Sequence, residues 1–139
     1  MLLLLVHAGA TCFLAGLVWV VQLVVYPGFR EARRTPDWAA LHAAHSRRMS
    51  GVVSVPWAVQ GLSLAALLVR HEAPLPLLAV TSVLALATVV LTVTVSVPLH
   101  GRLPTYDDAV VGRLVATNWW RTAAWTGGAV CSLALVAAS

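Results

Sequence analysis

The chain has few charged residues and no lysine. Only 10% of its 139 residues are Asp, Glu, Lys or Arg, whereas soluble domains carry about 25%. A soluble globule is therefore excluded. In contrast, 60% of the chain is apolar, and a helix needs about 20 apolar residues to cross a bilayer. Four stretches reach that length, namely Leu2 to Tyr26, Met49 to Val69, Leu75 to Leu99 and Val115 to Ala138.

These stretches predict an all-α protein, a bundle of four transmembrane helices that forms a single integral membrane domain over residues 1–139. Pro27 disfavours helical geometry at Tyr26 and so predicts the end of the first helix. Thr105 and Asp108 resemble a capping box that would start the fourth helix. The expected helices cover residues 2–26, 36–69, 75–99 and 106–138.

Two further features concern the organisation of the chain. No charged residue precedes Arg30, and the apolar run continues to Tyr26, past the length of the short apolar core of a signal peptide, so we expect the first helix to be retained. Residues 35–39 resemble residues 105–109, and Pro27 corresponds to Pro98 at nearly the same offset. This similarity favours two helical hairpins related as parallel repeats about an axis along the membrane normal.

The distribution of arginine predicts the orientation. Eight of the nine arginines lie on the first and third connections or at their borders, and only Arg70 lies at the opposite end. Because Lys and Arg are retained on the cytoplasmic side, both termini are expected outside. The net charge of +4 then reflects orientation, and no nucleic acid partner is needed to explain it. The expected partners are the lipid bilayer and a lipophilic small-molecule substrate, and the oligomeric state, a homo-oligomer included, is left open.

Acidic residues and cysteines are also scarce. All five acids lie outside the apolar cores, which argues against a proton antiporter that relies on a membrane-embedded carboxylate. Cys12 and Cys131 are expected at similar depth, where buried free cysteine acts as a small apolar residue. A disulfide between them is left open.

Polar residues are expected to converge in the cytoplasmic half, because helices one and three would run inward while two and four run outward. Residues three or four positions apart share one face of a helix, and a polar residue in a membrane helix is by default a functional hypothesis. The predicted catalytic residues are His42, His45, His100, Asn118 and Arg121. The predicted substrate-binding residues are Trp19, Gln22, Tyr26, Ser96, Thr122 and Trp125.

The histidines leave several roles open. His42 and His45 are spaced like metal ligands, and His100 would supply a third imidazole to a transition metal. As a second choice, two of these histidines would ligate haem. Alternatively they are acid-base groups, with Asn118 and Arg121 stabilising an oxyanion. The structural alternative is that Gln22 and its polar neighbours only form interhelical hydrogen bonds. The two remaining histidines are expected to be polar residues at the opposite interface, and they are His7 and His71.

Several strings resemble those of a family of small four-helix bacterial integral membrane proteins of unsettled function. They are Tyr26-Pro27, residues 42–48 (HAAHSRR), residues 98–103 (PLHGRL) and residues 117–125 (TNWWRTAAW). This resemblance implies a bacterial inner-membrane location. More distantly, the helix count and the polar C-terminal segment are similar to anthrone-oxygenase-like membrane proteins, which act on aromatic polyketides.

We therefore predict a membrane-embedded enzyme that acts on a lipophilic small molecule through a cytoplasm-facing His/Asn/Arg pocket. Oxidation by a metal-binding oxidoreductase is the first expectation, and isomerisation or cyclisation is the second. The alternatives are a haem- or quinone-binding membrane protein and a non-catalytic transporter or accessory subunit.

Overall fold

The structure, a computed structural model, describes residues 1–70 and 73–139, and this part of the chain contains helices and turns but no strand. Four long helical runs follow one another, and two of them contain a π-helical turn. The elements are α1 Leu2–Val20, a π turn Val21–Val25, α2 Tyr26–Glu31, a 3-10 turn Ala32–Arg34, α3 Trp38–Arg70, α4 Leu75–Leu91, a second π turn Thr92–Ser96, α5 Val97–Gly101 and α6 Asp108–Ala137.

The first helical run does not end at Tyr26, so that prediction is wrong. It continues through Pro27 and ends at Arg34. A proline lacks an N–H and its ring collides with a carbonyl one turn earlier. The π turn directly before Pro27, in which the Tyr26 N–H bonds to the Val21 carbonyl, widens the helix and accommodates the ring.

The third helical run repeats this arrangement. Its π turn is followed by Val97 and Pro98, and the Val97 N–H bonds to the Thr92 carbonyl. The run then continues to Gly101, past the predicted end at residue 99. The two π turns therefore lie at equivalent positions before Pro27 and Pro98, which extends the similarity in sequence to the backbone.

The other helix limits also differ in detail from the predicted ones. The carboxylate of Asp107 caps α6 by accepting from the N–H groups of Ala109 (2.8 Å) and Val110 (3.1 Å), so the expected capping box at Thr105 is wrong. Helix α3 begins at Trp38 rather than at residue 36. Pro56 lies inside α3 without ending it, as expected.

The long helices pack side by side with uneven contacts. Helix α1 packs against α3 and α6, and α4 packs against α6, whereas α3 and α4 touch only sparsely. The buried apolar residues form three clusters along the helices. One is centred on Tyr26, Trp38 and Leu103, one on Leu14 and Trp125, and one on leucines at the opposite end. We call the end where α2 and α5 finish and where α3 and α6 begin the arginine-rich end.

Among the described residues, three helical runs are long and apolar enough to cross a membrane, and they are Leu2–Arg34, Trp38–Arg70 and Leu75–Gly101. Helix α6 has 30 residues, which correspond to about 45 Å at the helical rise. It is long enough to cross, but it is not among the runs that are both long and apolar enough, and the polar residues Asn118 and Arg121 lie in its middle.

Candidate functional site

A chain of three side chains from three elements lies near the arginine-rich end. His42 of α3 and His100 of α5 approach with Nε2 and Nδ1 3.0 Å apart, and the Tyr26 hydroxyl lies 3.4 Å from His100 Nε2. The two imidazole planes differ by 20° and their centroids are 5.3 Å apart. The distance between the two ring centroids exceeds the distance between the two nitrogens by about the width of one ring. The rings therefore meet edge to edge, as an N–H···N hydrogen bond requires.

Aromatic residues enclose these imidazoles. The ring of Phe29 contacts His45 at a centroid distance of 4.9 Å and His42 at 5.9 Å, both edge to face. Trp38 stacks on His42 at 5.5 Å and donates from its indole nitrogen to the Leu103 carbonyl at 3.0 Å. These contacts fix the histidine rings in place, so His42 and His100 keep their relative orientation without help from a ligand.

The same geometry tests the predicted metal site. His42, His45 and His100 are neighbours, with the rings of His45 and His100 6.0 Å apart. However, the nitrogens of His100 face His42 on one side and Tyr26 on the other, so neither is free for a metal or a haem iron in this arrangement. Among residues 1–70 and 73–139, no group of three or more His, Cys, Asp or Glu could hold a metal ion. The metal and haem predictions therefore receive no support.

A second polar network joins the first helical run to α6. Asn118 donates from Nδ2 to Gln22 Oε1 at 2.8 Å, and Gln22 donates from Nε2 to the Val115 carbonyl at 3.4 Å. Arg121 donates from Nη1 to Asn118 Oδ1 at 3.1 Å and to Ser96 Oγ at 3.2 Å. Gln22 and Asn118 are 3% and 1% exposed. This network lies between the cluster around Tyr26 and the cluster around Trp125.

A cavity of about 450 Å³ opens beside both networks, a volume typical of small-molecule sites. Its walls come from α1, α2, α3, α5 and α6 and from both π turns. Six of the predicted site residues line this cavity. They are Tyr26, His45, Ser96, His100, Arg121 and Trp125. Residues from several helices thus line one cavity, and His45 and His100 are among them, whereas Gln22 and Asn118 are not.

Other predicted residues lie behind the wall or away from it. His42, Gln22 and Asn118 do not line the cavity. His42 and Asn118 bond to His100 and Arg121, which do line it, and Gln22 in turn bonds to Asn118. Thr122 is buried and donates to the carbonyl of Asn118 within its own helix. Trp19 is 38% exposed and donates to Thr126 Oγ1, so it does not face the cavity.

The prediction missed most of the wall formed by α3. That wall has small residues four positions apart, Ser46, Ser50 and Ser54, with Met49 and Trp57 beside them. The four-residue spacing of the serines in an apolar helix was the available signal. Phe29, which contacts all three imidazoles of the arginine-rich end, was also missed, since a lone phenylalanine carries no signal in sequence.

The opposite end holds a different histidine. His7 is 1% exposed, with Nδ1 3.1 Å from Ser63 Oγ and 3.3 Å from the Gln60 carbonyl oxygen. It therefore joins α1 to α3 in the interior of the helix bundle, near the start of α1. His71 lies outside the described residues. Cys12 and Cys131 are both free and partly buried.

Comparisons with protein-family models, with curated proteins and with solved structures gave no match to this chain. The resemblances noted in the sequence therefore stay predictions. What can be argued about function comes from the cavity and the two polar networks beside it.

Proposed function

We propose that the protein is an integral membrane enzyme, a bundle of four transmembrane helices that acts on a lipophilic small molecule bound in the cavity. In this proposal α6 crosses the membrane as the fourth helix. The first and third helical runs, which contain the π turns, are then the first helices of two equivalent hairpins. The arginine-rich end faces the cytoplasm of a bacterial inner membrane, with both termini outside, because basic residues are retained on that side.

The observation that carries this proposal is the position of His100. It lines a cavity of about 450 Å³, and behind it His42 lies within hydrogen-bond distance of its Nδ1. A neutral imidazole donates from one nitrogen and accepts at the other. The chain Tyr26–His100–His42 can therefore be hydrogen-bonded in either direction, which is what a group that takes up and returns a proton requires.

The roles of the other residues follow from their contacts. His45 reaches the cavity and is a candidate acid-base group, since imidazole titrates near neutral pH. Both nitrogens of His100 are taken by His42 and Tyr26, so His100 would exchange a proton with a substrate through the Tyr26 hydroxyl, which also lines the cavity. Arg121 supplies a fixed positive charge in the cavity wall, and a charge of this kind stabilises a developing oxyanion in a site of low dielectric.

Proton transfer by imidazole supports isomerisation or cyclisation directly. Oxidation, which the sequence and the resemblance to anthrone-oxygenase-like proteins favoured, stays a prediction without an observation that tests it. The histidines as arranged do not fit a metal or haem iron, and no step is derived through either.

A quinone-binding role is the second candidate. It is favoured by one observation, the position of tyrosine, histidine and tryptophan side chains around a cavity between helices apolar enough for a membrane. Solvent extraction of the purified protein, followed by an oxidised-minus-reduced spectrum, distinguishes this role from the enzyme. The transporter and accessory-subunit alternatives have no observation that favours them.

The enzyme proposal is tested by comparing lipophilic metabolites, by mass spectrometry, in membranes that contain the wild type, His100→Ala or His42→Ala. We expect one species to be consumed and another to accumulate with the wild type, and the rate to fall about 10²- to 10⁴-fold in His100→Ala. His7→Gln, which alters a histidine outside the cavity, should behave as the wild type. Identical profiles for the wild type and His100→Ala would contradict the proposal.

A further inference from the structure

Arg121 is a charged residue whose partners in the protein are all neutral. Its Nη1 donates to Ser96 Oγ and Asn118 Oδ1, and its guanidinium faces the Tyr26 hydroxyl. Its Nε is buried without a hydrogen-bond partner and does not reach the cavity. The side chain is therefore held in the cavity wall by neutral groups alone.

The charge itself has no counter-ion. A charged group within a membrane helix is costly and normally pairs with an opposite charge or faces a polar cavity. Within residues 1–70 and 73–139 no carboxylate pairs with Arg121, because the four described acids lie on or beside the connections at the arginine-rich end. An anion in the cavity would supply the missing charge.

The surface of the cavity is more apolar than polar. Its α3 wall combines the three serines with the apolar side chains of Met49, Val53 and Trp57. Ser54 and Trp57 also line a second, shallower groove, of about 680 Å³, which continues between α3 and α4. Because these two helices touch only sparsely, the groove gives a path from the cavity toward the surrounding lipid.

We infer that the cavity binds an amphipathic anion, with a carboxylate or phosphate head on Arg121 and an apolar body along α3 toward the groove between α3 and α4. This inference rests on the proposed function and names the chemical class of its substrate. Guanidinium pairs with either head group, since its planar fork matches the oxygens of both.

The probe for this inference is stearate carrying two bromine atoms at mid-chain, with its methyl ester as the neutral counterpart. Bromine quenches tryptophan fluorescence at contact, and Trp57 and Trp125 line the cavity. Quenching of detergent-purified protein is measured at a pH at which the acid is ionised, and Trp57→Phe identifies the part of the signal that comes from the groove.

We expect the acid to bind the wild type at least about tenfold more tightly than the ester, a difference of about 1.4 kcal/mol. Arg121→Gln should reduce the acid to the affinity of the ester, and Arg121→Lys should keep most of the preference. Arg113→Gln removes an exposed charge from the same helix and should change nothing. Thermal unfolding of each variant shows whether it is folded, and the acid-to-ester ratio of the wild type is informative without any variant.

The outcomes separate the two proposals. If acid and ester bind the wild type equally, the inference about charge is wrong while the lipophilic cavity stands. If neither probe quenches Trp57, the proposed function itself loses its basis. Competition by oleate and by oleoyl lysophosphatidate then assigns the head group, because the class with the better match displaces the brominated acid at lower concentration.

Discussion

The hydrogen bond between Gln22 and Asn118 offers a sharp test of how the first helical run is held to α6. The two amides are 2.8 Å apart and almost fully buried, at 3% and 1% exposure. Asn118 also accepts a hydrogen bond from Arg121. Replacing either amide by leucine keeps a similar size but removes the polar group.

The expected magnitudes follow from what each substitution leaves behind. Asn118→Leu leaves Gln22 Oε1 and one bond of Arg121 without a partner, so the free energy of unfolding should fall by about 2–3 kcal/mol. Gln22→Leu leaves only Asn118 Nδ2 unpaired, and about 1–2 kcal/mol is expected. In membrane proteins the coupling of such a pair averages about 0.6 kcal/mol and reaches about 1.7 kcal/mol. Full burial places this pair in the upper part of that range.

The assay is reversible unfolding in mixed detergent micelles, followed by tryptophan fluorescence, for both single variants and the double variant. The double variant should be less destabilised than the sum of the singles by about 1–1.5 kcal/mol. The control pair combines Gln22→Leu with Thr81→Val, because Thr81 bonds to the Leu77 carbonyl of its own helix. Those two effects should add. Additivity of Gln22→Leu and Asn118→Leu within about 0.3 kcal/mol would refute the assigned contact.

Three further predictions concern the groove, the packing and the orientation. Ser54→Trp fills the space shared by the two cavities and should weaken binding of the brominated ester, whereas Leu62→Trp, 73% exposed on the same helix, should not. Gly128→Leu should cost about 1–3 kcal/mol of unfolding free energy by overpacking, because a Cβ there already meets Thr11 at 3.6 Å. Gly16→Leu, with nothing within 4 Å, should be neutral in the same assay. A reporter at the C-terminus that works only outside the cytoplasm should be active, and activity of a cytoplasmic reporter instead would reverse the orientation.

The helical fold could be predicted from the length and composition of the apolar stretches, since each became a long helical run. The helix limits could not. A proline predicts the end of a helix because it removes one hydrogen bond of a regular α-helix. A π turn directly before the proline shifts the hydrogen-bond pattern by one residue, so that a different carbonyl is left without a donor. The runs therefore continue through Pro27 and Pro98, and no residue in either π turn announces that geometry.

The same π turns explain which parts of the site were predicted correctly. Spacings of three and four assume a regular helix, and they hold within α3, where His42 and His45 lie on the side of Phe29. Across the first π turn the assumption fails. Gln22 and Tyr26 are buried while Trp19, on the predicted face, is exposed. Across the second π turn, in contrast, the four-residue spacing still places Thr92, Ser96 and His100 on the cavity.

Helix α6 shows that mean hydropathy alone does not describe how a helix is packed. It packs against α1, α2, α4 and α5, so its polar side chains can face protein instead of lipid. Asn118 bonds to Gln22 and Arg121 bonds to Ser96, while Trp120 is 71% exposed on the outer side. A helix enclosed by its neighbours loses stability when its polar groups are removed, because their partners are then left unpaired. Asn118→Leu therefore makes α6 more apolar but the protein less stable. In a helix that faces lipid, the same change would not leave protein groups unpaired, and this difference distinguishes an interior helix from a lipid-facing one.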